Sequence, residues 1–114
     1  MNGITTHVLD TARGRPAVNL AVTLERLGKG GEPTLIGSGR TDPDGRVRGL
    51  VPDGGDAEPG RYRLRFDTGD WFAGQGITAF FPQVTVDFEV GEAGRHCHVP
   101  LLLSPFGYST YRGT

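Results

Sequence analysis

The stretch His96-Cys97-His98-Val99-Pro100-Leu101-Leu102-Leu103 alternates as a β-strand with two unlike faces. Cys97, Val99, Leu101 and Leu103 fall on one side; His96, His98, Pro100 and Leu102 fall on the other. The first face is continuous and apolar and belongs in a core. Cys97 sits within it as an inert thiol, with no base or cation placed beside it. The second face carries imidazoles and has to meet water, a ligand or another subunit. A sheet that buries only one side, as in a sandwich, gives this pattern.

The rest of the chain agrees. Nineteen glycines and eight prolines cut its 114 residues into short pieces that favour period two, and no long stretch shows period 3.6. The expectation is an all-β, two-sheet sandwich of about eight strands, near 3–10, 17–28, 33–41, 45–51, 59–67, 82–90, 95–103 and 106–111. In the first strand Ile4, Thr6 and Val8 share one face, and Thr5, His7 and Leu9 the other. In the last, Phe106, Tyr108 and Thr110 alternate with Gly107, Ser109 and Tyr111, which predicts that Phe106 and Tyr108 pack. Asp42-Pro43-Asp44-Gly45 is a turn by composition. Asp53-Gly54-Gly55-Asp56 is a loop, and Gly91-Glu92-Ala93-Gly94 connects the sixth and seventh strands. One short helix is expected near 70–76 with Asp70 as its N-cap. Trp71, Phe72, Phe80 and Phe81 read as core or loop-packing aromatics.

The length suits a single domain over residues 1–114, which buries roughly two-thirds of its unfolded surface. One cysteine rules out an internal disulfide framework and a cysteine-cluster zinc site. The net charge is -1 without a basic run, so nucleic acid and anionic membranes are poor partners. No apolar run approaches membrane-spanning length. The start, Met1-Asn2-Gly3-Ile4, lacks the features of a secretory signal, and a cytoplasmic protein is expected.

Three segments carry a family resemblance: Ile4-Thr5-Thr6-His7-Val8-Leu9-Asp10-Thr11 with Gly14-Arg15-Pro16-Ala17; Thr41-Asp42-Pro43-Asp44-Gly45-Arg46; and His98 through Ser104-Pro105 to Tyr108-Ser109-Thr110-Tyr111-Arg112-Gly113-Thr114. Gly60-Arg61-Tyr62 and Phe81-Pro82 fit as well. Together they resemble the 5-hydroxyisourate hydrolases, the enzymatic branch of the transthyretin family. The tail is the most specific segment. The family's enzymes end in Tyr-Arg-Gly-Ser; Thr114 keeps the hydroxyl and adds a methyl group. The resemblance implies a transthyretin-like sandwich, dimers paired edge to edge, and a homotetramer with active sites between dimers. It implies 5-hydroxyisourate as the small-molecule substrate, opened to 2-oxo-4-hydroxy-4-carboxy-5-ureidoimidazoline in urate breakdown.

That hydrolysis needs a base for water, a donor for the oxyanion, and a grip on a flat heterocycle. The resemblance gives His7 and His98 water activation and proton transfer, with the base left open between them. It makes Arg46 the third catalytic residue, whose planar fork suits an oxyanion or imide oxygens. Tyr111 and Thr114 join these three in holding substrate. No metal or organic cofactor is needed, because the ring is already activated. His96 matches no catalytic position. Arg48 shares a strand face with Arg46, and Arg112 reads equally as a tail anchor or a substrate contact. Two other classes compete: a carrier of a small aromatic ligand, and a metal-binding sandwich using His7, His96 and His98. The second has no acidic residue at ligand spacing.

Overall fold

The structure, a computed structural model, describes residues 3–52, 57–91 and 96–114. Its strands are β1 (Ile4–Asp10), β2 (Arg15–Pro16), β3 (Ala21–Leu27), β4 (Pro33–Arg40), β5 (Arg46–Val47), β6 (Gly60–Phe66), β7 (Val84–Val90), β8 (Cys97–Ser104) and β9 (Gly107–Thr110), with one helix, α1 (Thr68–Ala73). The first sheet runs β2-β1-β8-β9, with β5 also paired to β1; the second runs β4-β3-β6-β7. The expected two-sheet sandwich with one short helix is therefore present.

The inward faces are those the alternation assigns. Ile4, Val8, Leu101 and Leu103 of the first sheet meet Val22, Leu24, Leu64 and Phe66 of the second, all buried. Each such side chain contributes about 1.5–3 kcal/mol of burial. Thr6 is buried among them because its Oγ1 donates to the Val99 carbonyl at 2.6 Å. Buried Asp10 accepts from the Ala12 and Arg13 N–H groups at 3.1 and 3.0 Å, closing the turn after β1.

Register matters most for function. β1 runs parallel to β8, setting Thr5 beside His98 and His7 beside Pro100. On its other edge β1 is antiparallel to β5, setting His7 beside Arg46. His98, Thr5, His7 and Arg46, which are distant in sequence, thus share the outer face across three adjacent strands.

Several local expectations are corrected. The segment expected as 17–28 joins the sheet only at Ala21, because Asn19 turns the chain through φ 65° and its N–H bonds the Thr41 carbonyl. The strand expected at 45–51 shrinks to Arg46–Val47, since Gly49 at φ 74° bends the chain away. Arg15–Pro16 forms a separate short strand, giving nine rather than eight among the described residues. The helix starts earlier than expected, with Asp67 at the N-cap and Asp70 in the first turn; no side-chain cap bond forms. Gly69 lets this turn press on Pro82, whose carbonyl oxygen would lie 2.6 Å from an added Cβ. Phe106 is 70% exposed, because Pro105 and Phe106 form the tip of the β8–β9 hairpin. Tyr108 is 42% exposed at the sandwich edge, against the Phe81 ring, and Phe80 is also largely exposed. The expected Asp53–Asp56 loop, and the 91–94 connection beyond Gly91, lie outside the described residues.

Candidate active site

The Asp42–Arg46 turn is built around one carboxylate. Asp42 Oδ1 accepts from the Asp44 N–H at 2.9 Å and from the Arg46 N–H at 3.0 Å. The Arg46 N–H bond is the main reason the Asp42 carboxyl sits below its usual range; the Asp44 N–H and the Arg48 and Arg46 charges add to it against some desolvation. Gly45 closes the turn at φ 80°, and its carbonyl accepts from the Val8 N–H at 2.7 Å. A Cβ there would lie 2.5 Å from the Val8 oxygen, so only glycine lets the turn lie against β1.

This turn also fixes His7. Its Nε2 lies 2.8 Å from the Asp44 carbonyl oxygen, which can only accept, so Nε2 carries the proton. In the neutral ring the lone pair is then on Nδ1.

His98 is half-buried and held on both sides. Its Nδ1 lies 2.8 Å from Thr5 Oγ1, and the same hydroxyl lies 2.8 Å from His96 Nε2. The His96 and His98 rings stack with centroids 6.5 Å apart. On the far side the tail crosses over: the Gly113 N–H donates to the His98 carbonyl at 2.8 Å. A Cβ on Gly113 would stand 2.6 Å from His98 Cδ2, so glycine is what lets the tail lie on the ring. Thr110 Oγ1 donates to the Pro100 carbonyl at 2.7 Å and ties down the start of the same segment. Burial, then Arg46, His7 and His96, pull the His98 pKa below the ordinary 6.5.

A cavity of about 400 Å³ opens at this point, lined among others by Thr5, Arg46, Arg48, His96, His98 and Thr114. Its described lining holds no carboxylate side chain, so it favours an anionic or carbonyl-rich guest. The sequence-expected residues Arg46, His98 and Thr114 converge here. His7 does not line the cavity; it stands beside Arg46, turned to the Asp44 carbonyl. Tyr111, 57% exposed, lines a separate hollow of about 220 Å³ that His98 also borders. A larger cavity of about 740 Å³ lies elsewhere, beside Trp71, where Arg13, Arg15 and Arg40 are balanced by Asp67 and Asp70.

Sequence reasoning missed Thr5 and set His96 aside. Thr5 shares a strand face with His7, a local signal, but its place beside His98 follows only from the parallel register. Among the described residues, no group of three His, Cys, Asp or Glu side chains is arranged to hold a metal ion.

Fold and cavity together define the class: a transthyretin-like β-sandwich with a histidine–arginine site on the outer face of one sheet. Comparison with known proteins gives the family. The profile of the HIUase/Transthyretin family matches residues 4–113, and the chain belongs to that family. It is 47% identical to the 5-hydroxyisourate hydrolase of Caulobacter vibrioides, with all of both chains covered. The solved structure of Klebsiella pneumoniae 5-hydroxyisourate hydrolase superposes with a TM-score of 0.86 at 36% identity, covering 100% of both chains. Sea bream transthyretin in complex with thyroxine superposes with a TM-score of 0.89 at 33% identity, covering 97% of this chain and 94% of that one.

Proposed function

We propose that this protein is a hydrolase that opens the six-membered ring of 5-hydroxyisourate, a step of urate breakdown. The observation that supports this most is the convergence of His98, Arg46 and Thr114 on one cavity whose lining has no Asp or Glu side chain. His98, kept neutral at physiological pH by burial and cationic neighbours, is the base. It takes a proton from water as the water oxygen bonds to the ring carbonyl carbon. The carbonyl oxygen becomes an oxyanion facing the Arg46 guanidinium. Collapse re-forms the carbonyl, breaks the carbon–nitrogen bond and returns the proton to nitrogen. His7, fixed beside Arg46 by the Asp44 carbonyl, is the second histidine assigned to the proton transfer. Thr114 completes the grip on substrate inside the cavity, and Tyr111 is assigned to its rim from the adjoining hollow that His98 also borders. No step calls for a metal or organic cofactor.

A homotetramer of paired dimers, with sites between dimers, fits the same reading. The site lies on an outer sheet face, and β7 and β9 are open edges of their sheets. The chain forms one domain in this reading. A cytoplasmic location is supported by Cys97, which is a free, buried thiol. No described helix is long and apolar enough to cross a membrane.

The likeness to transthyretin holding thyroxine favours a second reading, a carrier of a flat aromatic ligand. One absorbance experiment separates the two. Urate oxidase generates unstable hydroxyisourate from urate, and its decay is followed with added protein. A hydrolase accelerates decay at trace concentration with repeated turnover. A carrier changes the trace only in proportion to stoichiometric protein, and that result would reverse the assignment.

A further inference from the structure

Thr5 stands between two imidazoles and belongs to no role so far described. We infer that Thr5 is a positioning residue: its hydroxyl holds His98 in the tautomer whose Nε2 lone pair is free to act as base. The inference rests on His98 being that base.

The geometry is specific. Thr5 Oγ1 lies 2.8 Å from His98 Nδ1 and 2.8 Å from His96 Nε2. A hydroxyl has one proton and two lone pairs. At most one ring nitrogen can accept from it, and at least one must donate to it. If His98 Nδ1 donates, the neutral ring has its lone pair on Nε2, the nitrogen left for chemistry. If His96 alone donates, Thr5 turns its proton to His98 Nδ1, and His98 Nε2 then carries a proton and cannot take another. The hydroxyl therefore couples the state of His96 to the tautomer of His98.

Two features favour the productive arrangement. A neutral imidazole left in water prefers its proton on Nε2, so a fixed acceptor at Nδ1 is what reverses the preference. Thr5 is such an acceptor when its own proton is directed to His96 Nε2 or away from both rings. Its branched side chain is stiff on a strand, and the parallel register sets it directly beside His98. The tail then blocks rotation of the ring, because Gly113 leaves no space above Cδ2. Swinging His98 away from Thr5 would have to lift the tail.

The test combines kinetics with a spectroscopic signature. Thr5→Val keeps the side-chain shape and removes the hydroxyl; Thr5→Ser restores the hydroxyl. In Thr5→Val, kcat should fall roughly 10- to 100-fold, the range for losing one hydrogen bond to a working group. KM should change little, and Thr5→Ser should stay within about threefold of wild type by the same reasoning. Nitrogen-15 NMR of the histidine rings, at a pH where His7, His96 and His98 are neutral, reads the tautomer directly. The wild type should show a protonated Nδ1 and a bare Nε2 at His98, and Thr5→Val should lose that state. A wild-type His98 protonated on Nε2 overturns the inference even if Thr5→Val fails to fold. So does a folded Thr5→Val with full turnover while His98→Asn is inactive. If His98→Asn itself remains active, the base assignment has failed, a different outcome from failure at Thr5.

Discussion

Gly45→Ala strikes the point where the loop and the first strand are joined. Gly45 holds φ 80°, a conformation that costs an alanine about 1–2 kcal/mol. The new methyl would stand 2.5 Å from the Val8 carbonyl oxygen and 3.1 Å from Pro16 Cβ, the first being backbone that cannot swing aside. The turn has to lift, which weakens the 2.7 Å bond from the Val8 N–H to the Gly45 carbonyl, at about 1 kcal/mol. Together these remove about 3 kcal/mol. At about 4 °C per kcal/mol for a chain of this length, Tm should drop roughly 12 °C. Activity should fall further than stability explains. Asp44, whose carbonyl orients His7, and Arg46 flank the altered residue on either side. A shift near 1 Å there should lower kcat by about 100-fold at a temperature where both proteins are folded. Calorimetry and the hydroxyisourate decay assay read the two effects. An unchanged Tm would refute the packing argument. A lowered Tm with unchanged kcat would show that this turn does not place His7 and Arg46 for catalysis.

The pH dependence follows from His98. Burial first, then Arg46, His7 and His96, lower its pKa, and its neutral form is the active one. The acid limb of kcat/KM should therefore lie below 6.5 and move to higher pH in Arg46→Gln, because removing a cation eases protonation; a wild-type limb at or above 6.5 would count against His98. Gly113→Ala should cut kcat by about 10-fold or more while Tm barely moves. Its methyl meets the His98 ring 2.6 Å away, and a displaced catalytic ring lowers rate more than stability. Equal melting and equal turnover in that variant would mean that the tail does not seat the imidazole.

The sandwich was legible because period-two alternation is a local signal. Ile4, Thr6 and Val8, like Cys97, Val99, Leu101 and Leu103, turn inward as the pattern requires. Misplaced details depend on neighbours the pattern does not contain. Phe106 alternates correctly, yet the hairpin tightens at Ser104 and Gly107 and leaves it at the tip. Asp70 looks like a cap, but Gly69 packing under Pro82 starts the helix earlier. Arg46, His98 and Thr114 could be named from motifs. Their partners could not: the Thr5 link depends on a parallel pairing across more than ninety residues, and the His7 bond on a turn far along the chain. Tyr111 lines the hollow beside the cavity, a placement the motif alone does not give, because the chain crosses the His98 ring at Gly113 before reaching the cavity at Thr114.

The most direct test of the proposed catalysis is the turnover of hydroxyisourate by His98→Asn at trace protein concentration, measured beside wild type and His96→Asn. The His98 side chain is half-buried on the outer sheet face, so the variant should fold with nearly unchanged Tm. Its kcat should fall about 100-fold or more, the usual scale for losing a positioned base. His96→Asn should lose less, since His96 is exposed and acts on the base from beside it, through Thr5 and the stacked rings. A folded His98→Asn with near wild-type turnover would contradict the assignment of the chemistry to this site.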